Sequence, residues 1–237
     1  MVLISELSTA AKPNQIYRCT ANLNIYDSPK VERLATQAAQ GRYLQIVDPL
    51  AHSTAIAVKL YEDDYPGWLK PADLNHLVIA PTVQPPAALT EAEIRDRLPH
   101  VIAFCQAAMA TPNYYEWGGT VAPNYDCSGL MQAAFAAVGV WLPRDAYQQE
   151  AFTQSIAIGE LMPGDLLFFG TPQKATHVAL YLGEGNYIHS SGKAQGRNGI
   201  GIDSITDLSH PVSQNYFAQV REAGRVVASY QTGNPCW

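Results

Sequence analysis

At 237 residues, 47% of them hydrophobic and 15% charged, the chain is long enough for one large or two small domains with a proper core. The net charge of −6, with lysines and arginines scattered and no basic run, argues against nucleic acid or an anionic membrane as a partner. The opening residues Met1-Val2-Leu3-Ile4-Ser5-Glu6 have no basic segment and no apolar run of signal-peptide length, and no stretch approaches the ~20 apolar residues of a membrane span. Four cysteines, Cys19, Cys105, Cys127 and Cys236, show neither CxxC spacing nor disulfide-scaffold density, so a reducing cytoplasm is the expected compartment.

Residues 15–80 read as short strands at Gln15–Cys19, Leu23–Tyr26, Tyr43–Val47, Ala55–Leu60 and His76–Ile79. Breaks fall at Asp27-Ser28-Pro29, Asp48-Pro49 and Asp63-Asp64-Tyr65-Pro66-Gly67. Short strands separated by turn signals predict a small β-barrel over residues 1–81. The Pro-rich stretch from Pro81 to Pro86 predicts an extended linker, bounded here as 82–89, ahead of a second domain over 90–237. Thr90-Glu91-Ala92-Glu93 is a capping-box signature. It opens a helical pattern whose apolar face is Ile94, Leu98, Ile102, Cys105 and Met109, with a kink or a split expected at Pro99.

Chemistry concentrates further on. Pro123-Asn124-Tyr125 reads as a turn, Asp126 as an N-cap, and the apolar run from Leu130 as a buried helix. Cys127 then sits in the first helical turn, where unpaired N–H groups and the helix dipole favour a thiolate, and Gly129 leaves room for a substrate. Taken alone, Cys127 reads first as a small buried side chain, and its partners are what raise the catalytic reading. Downstream, His177 begins a β-branched strand, His177-Val178-Ala179-Leu180-Tyr181-Leu182-Gly183. His189 lies in a second strand, and Glu184-Gly185-Asn186 between them signals a hairpin. The hairpin would place His177 to take the thiol proton and His189 to orient its imidazole. No spacing suits a metal, and Gly118-Gly119 lacks the Lys-Ser/Thr of a phosphate loop.

These pieces resemble, in order, the NlpC-type cell-wall cysteine peptidases, papain-like enzymes that cut peptidoglycan stem peptides. The resemblance runs over roughly residues 90–225. It is carried by Tyr115-Glu116-Trp117-Gly118-Gly119, Asp126-Cys127-Ser128-Gly129, Leu142-Pro143-Arg144, the run Pro163–Phe169, His177–Gly183 and Ile188-His189-Ser190. Asp64-Tyr65-Pro66-Gly67-Trp68-Leu69 resembles the Gly-Trp segment of bacterial Src-homology-3-like domains. The implied fold is α+β, a small barrel followed by a papain-like catalytic domain.

The resemblance also implies roles. Cys127 is the nucleophile, His177 the base, His189 the third member, and Tyr115 an oxyanion donor beside the Cys127 N–H. Trp117 walls the substrate groove, and Ser128 belongs with the substrate-binding residues. Asp126, with Tyr65 and Asp27 from the barrel, would bind a free N-terminal amine, although Tyr65 and Asp27 read equally well as turn residues. A carboxylate facing Cys127 would raise the thiol pKa, so Asp126 needs to point away or be neutralised, for which a substrate ammonium would serve. Arg144 reads as a surface charge or as a buried brace for Asp145 or the chain, and is taken as structural. Where the family often has small hydroxyl residues, the chain reads Asp145-Ala146-Tyr147, so a substrate hydrogen bond from this segment is expected to be lost or rearranged. The implied activity needs no cofactor: hydrolysis of the γ-D-glutamyl–diamino acid (meso-diaminopimelate) bond in peptides with free L-Ala, in wall-peptide recycling. The alternatives are an amidase or acyltransferase of the same Cys-His chemistry on intact wall or lipid, and a non-catalytic peptide-binding module.

Overall fold

The computed structural model of the protein describes residues 15–48 and 54–233. Cys236 and residues 1–14 lie outside that range.

The first unit is one antiparallel sheet of seven strands around a single core. Its strands are β1 (Ile16–Cys19), β2 (Leu23–Tyr26), β3 (Leu34–Ala38), β4 (Tyr43–Asp48), β5 (Ile56–Leu60), β6 (Pro66–Leu69) and β7 (Leu77–Ile79), in the order β3-β2-β6-β5-β4-β1-β7. Alternation sets the faces. In β5, Ile56, Val58 and Leu60 turn inward while Ala57 and Lys59 stay half-exposed. With Cys19, Ile25, Leu44, Leu69 and Leu77 they fill the core, each large aliphatic contributing about 1.5–3 kcal/mol by burial. The expected strands are present within a residue at each described end.

Strands β3 and β6 had no sequence signal of their own. The inward positions of β3 are Thr36 and Ala38, which are not strongly apolar. Pro66 opens β6, an allowed place for a residue that cannot donate to the ladder. Gly67 is required there, because a Cβ would run into the Ile25 side chain and the Tyr26 carbonyl.

The second unit opens with α1 (Glu91–Arg95), whose Thr90 and Glu93 form the expected capping box. Thr90 N donates to Glu93 Oε2 at 2.8 Å and Glu93 N to Thr90 Oγ1 at 3.3 Å. The helix stops and restarts as α2 (Leu98–Ala110), with Pro99 in its first turn, where a missing N–H costs nothing. Next come the short pair β8 (Thr120–Val121) and β9 (Asn124–Tyr125), then α3 (Cys127–Ala136) and α4 (Ala146–Phe152). Strands β10 (Gln154–Ile156), β11 (Leu166–Thr171), β12 (Lys174–Gly183), β13 (Asn186–Ser191), β14 (Gly199–Ser204) and β15 (Val220–Arg225) build a second antiparallel sheet in the order β10-β15-β11-β12-β13-β14. One face packs on α1 to α4 through Leu166, Phe168, Val178, Leu180 and Ile188. The other carries Leu167, Phe169, Ala179 and Tyr187 against α5 (Pro211–Phe217). No helix among the described residues is long and apolar enough to cross a membrane.

Buried polar bonds tie the two units together. Gln37 Oε1 accepts from the N–H groups of Thr120 and Val121 at 3.0 and 3.1 Å. Gln132 Nε2 donates to Asp63 at 2.8 Å, and Arg144 Nε to Thr36 Oγ1 at 2.9 Å. Gly118, at φ +80°, lies against the Leu34 backbone. Thr36 and Gln37 therefore sit in β3 to meet the second unit.

Candidate active site

Asp126 starts α3. Its two oxygens accept from Gly129 N at 2.7 Å and Gly118 N at 2.8 Å, so it caps the helix and pins the preceding loop. Cys127 follows at the first helical position. Its thiol lies by the N–H groups of Val178 and Ser128, yet burial first and the Asp126 charge second push it up to about 12. The helix start alone suggests a thiolate. The buried site holds a neutral thiol instead, so proton removal has to accompany attack.

The expected hairpin of β12 and β13 brings His177 and His189 together, with His177 Nε2 2.7 Å from His189 Nδ1. Burial, reinforced by the His189 charge, holds His177 well below the ordinary histidine value. Burial lowers His189 too, against the upward pull of Asp203. Both rings are therefore neutral near pH 7.

His189 Nε2 lies 2.8 Å from Asp203 Oδ2. Asp203 also accepts from Arg197 at 2.7 Å and from Ser213 Oγ at 3.3 Å. Burial favours its protonated form, but the His189 and Arg197 bonds and charges win and keep it below the usual carboxylate range. An ionised carboxylate only accepts, so His189 carries its proton on Nε2 and presents a bare Nδ1. His177 then donates from Nε2, which leaves its Nδ1 free to take a thiol proton. Tyr216 holds this arrangement: its ring stacks on His177 at 4.3 Å, and its hydroxyl is fixed on Ser191 Oγ at 2.7 Å.

A cleft of about 370 Å³ opens over Cys127, lined from both units. It contains each of the other residues singled out from the sequence: Tyr115, Trp117, Ser128, Tyr65, Asp27 and Asp126. A larger recess of about 480 Å³, between α2 and the Met162-Pro163 segment, holds none of them. Tyr115 makes no hydrogen bond through its hydroxyl to a described residue, and burial beside Cys127 and Asp126 keeps that hydroxyl protonated as a donor. Trp117 is 57% exposed on the cleft wall, with the Arg33 guanidinium 4.7 Å from its ring centroid. Asp27 stands 3.8 Å from Arg33.

Two expectations are corrected. Asp126 is not open to a substrate ammonium. Arg144, 1% exposed, donates to its oxygens at 3.1 and 2.6 Å, which fills the positions left by Gly118 and Gly129. Arg144 is thus the buried structural brace that the sequence allowed, bonded to Asp126, and it also donates to Ser128 Oγ at 2.9 Å. The neutralising charge that Asp126 needs is built into the protein. Gly129 gives no room to substrate either, because the Gly119 carbonyl occupies the space of its missing side chain.

Asp145 is a carboxylate of the cleft that has no ion-pair partner among the described residues and is approached by Tyr65 Oη at 3.4 Å from either oxygen. Burial raises Asp145 above the usual range despite Arg144 nearby. A carboxylate that is desolvated and served by so weak a bond favours a cation beside it.

Fold and site together define a papain-like unit with a thiol and an ordered imidazole pair, set behind a Src-homology-3-like sheet. The family model described as "NlpC/P60 family" matches residues 112–222, and that described as "Bacterial dipeptidyl-peptidase Sh3 domain" matches residues 25–74. The peptidoglycan endopeptidase RipB of Mycobacterium tuberculosis is 31% identical over 188 residues, 70% of this chain and 75% of that protein. The dipeptidyl-peptidase 6 of Lysinibacillus sphaericus is 40% identical over 114 residues, 48% of this chain. A probable endopeptidase p60 of Listeria seeligeri is 37% identical over 91 residues, 38% of this chain. The chain spans only 38% and 16% of these last two relatives' lengths. The chain belongs to the NlpC/P60 family.

Proposed function

We propose that the protein is a peptidoglycan endopeptidase. It would hydrolyse the amide between γ-D-glutamate and meso-diaminopimelate in stem peptides with a free N-terminal L-Ala, releasing L-Ala-γ-D-Glu. The setting would be recycling of wall peptides in the cytoplasm. The observation that carries this reading is the cleft itself: Cys127 lies in it together with Asp145 and the barrel's Tyr65, an acceptor pair suited to an ammonium. The reading is further supported by the dipeptidyl-peptidase description of the matched barrel model and by a relative named dipeptidyl-peptidase 6.

In this mechanism the Cys127 sulfur attacks the γ-carbonyl as its proton passes to His177 Nδ1. A positioned base of this kind contributes ~10²–10⁴-fold. The oxyanion accepts from the Cys127 N–H and the Tyr115 hydroxyl, where one such donor is worth ~10²–10³-fold. His177 then protonates the leaving diaminopimelate amine, and water, deprotonated by the same imidazole, hydrolyses the thioester. Amine recognition moves from Asp126 to Asp145, with Tyr65 and Asp27 on the barrel side.

The test is a mass-spectrometric digest of L-Ala-γ-D-Glu-meso-diaminopimelate with the wild type and with Cys127→Ala. The expected products are L-Ala-γ-D-Glu and free diaminopimelate from the wild type alone. A cut at another bond, or undiminished turnover by Cys127→Ala, would refute the reading.

A further inference from the structure

The cleft carries more charge than bond breaking requires, and most of it is matched. Asp126 is held by Arg144, and Asp27 stands by Arg33. Arg144 in turn directs its N–H groups at Asp126, Ser128 and Thr36. Lys174 remains. It lines the same cleft, is exposed, and forms no ion pair with a described carboxylate. Its ammonium rests 4.0 Å from the centroid of the Tyr147 ring, a favourable cation–π seat. Tyr147 is two residues beyond Asp145, and the Lys174 charge is felt at Asp145. On its other side, Lys174 opens β12, the strand that carries His177 three residues later. One wall of the cleft therefore presents an anion and a separate cation within reach of the nucleophile.

The proposed substrate has the matching pattern. A γ-linked D-glutamate keeps its α-carboxylate free, on the carbon that also bears the L-Ala arm. The amine of L-Ala and this carboxylate are thus two opposite charges a short span apart, both on the acyl side of the scissile bond. An α-linked glutamate would have no such carboxylate. We propose that Lys174, seated on Tyr147, is a carboxylate-binding site that takes the free α-carboxylate of the γ-linked D-glutamate. Asp145 and Tyr65 take the amine, so the two ends of the dipeptide are read by charges of opposite sign. This inference rests on the substrate reading above.

The experiment compares kcat/KM for L-Ala-γ-D-Glu-meso-diaminopimelate and for the same peptide with the α-carboxylate converted to the amide. A charge-assisted hydrogen bond is worth about 10–100-fold. The wild type should therefore prefer the free carboxylate by about that factor. Lys174→Met should erase the preference by raising KM on the carboxylate peptide, while its rate on the amide stays within about twofold of wild type. Lys174→Arg should keep most of the preference. Equal losses on both peptides in Lys174→Met, or a wild type that cleaves both alike, would overturn the Lys174 site while leaving the function standing. A wild type that cleaves neither would overturn the substrate reading and this inference with it. Lys174 is exposed, and an unchanged urea midpoint for Lys174→Met would show the fold intact.

Discussion

Replacing Arg144 with Met keeps roughly the length of the side chain and removes its charge and donors. In the native protein the guanidinium is buried, with N–H groups on Thr36, Ser128 and both oxygens of Asp126. Asp126 is itself nearly buried, and without Arg144 it keeps the N–H groups of Gly118 and Gly129 and a long bond from Ser128 Oγ at 3.4 Å, with no charge to balance its own. Stranding one member of a buried ion pair costs about 3–5 kcal/mol, so Arg144→Met should lose about that much stability. Asp126→Asn should likewise cost about 3–5 kcal/mol, because it strands the buried Arg144 charge and leaves one of the Gly118 and Gly129 donors facing an NH₂. In the double variant the stranded charge is gone. Its loss should then fall short of the sum of the single losses by at least about 2 kcal/mol. Urea denaturation followed by tryptophan fluorescence gives all four corners of the cycle. A loss below about 1 kcal/mol for Arg144→Met, or losses that add within about 0.5 kcal/mol, would mean that Asp126 does not depend on Arg144.

His177→Ala should reduce kcat more than His189→Ala, by ~10²–10⁴-fold, since it removes the proton acceptor while His189 only orients it; the reverse order in steady-state kinetics would exchange their roles. Asp203→Asn keeps shape but replaces a pure acceptor with a group that can also donate to His189, so both tautomers become accessible. It should lower kcat by roughly 10²–10⁴-fold with KM little changed and shift the pH–rate profile. A drop in melting temperature with an unchanged profile would make Asp203 merely structural. The low values of His177 and His189 also make acid destabilising: the unfolded chain binds protons below about pH 6.5 that the folded protein refuses, so stability present above that pH is lost as pH falls. Each histidine can contribute up to about 1.4 kcal/mol per pH unit. Asp145 and Glu62, raised by burial, act in the opposite sense. The informative quantity is therefore the difference between wild type and His177→Gln across pH 7 to 5, and no difference in slope would contradict a neutral, buried His177.

Local signals carried much of this architecture. The Thr90–Glu93 box and Pro99 mark the two short helices, and the Gly-Asn turn between β12 and β13 is enough to pair His177 with His189. Asp203 escaped because β14 reaches β13 through residues 192–198, a connection that sets no register in sequence. Only the observed pairing of His189 with Gly201, and of Tyr187 with Asp203, puts the carboxylate diagonally next to His189 on one face. Strand β3 was invisible because its buried Thr36 and bonded Gln37 satisfy partners about a hundred residues away, Arg144 and Thr120. Arg144 is only 18 residues from Asp126, but the turn between them carries no sequence signal of which side chains it brings together, so their pairing was not expected. Burial of Cys127 is likewise a property of the packed sheet and helices. A helix start read alone overstates the thiolate.

A thiol peptidase whose cleft holds the free amine of a dipeptide should distinguish that amine from its acetylated form. The most direct measurement is kcat/KM for L-Ala-γ-D-Glu-meso-diaminopimelate beside its N-acetylated form. Acetylation removes the charge that Asp145 and Tyr65 would hold and adds bulk at the barrel end of the cleft. A loss of about 10–100-fold on acetylation, the size of a charge-assisted hydrogen bond lost at the half-buried Asp145, is the expected result. Equal values for the two peptides would mean that the cleft does not recognise the amine.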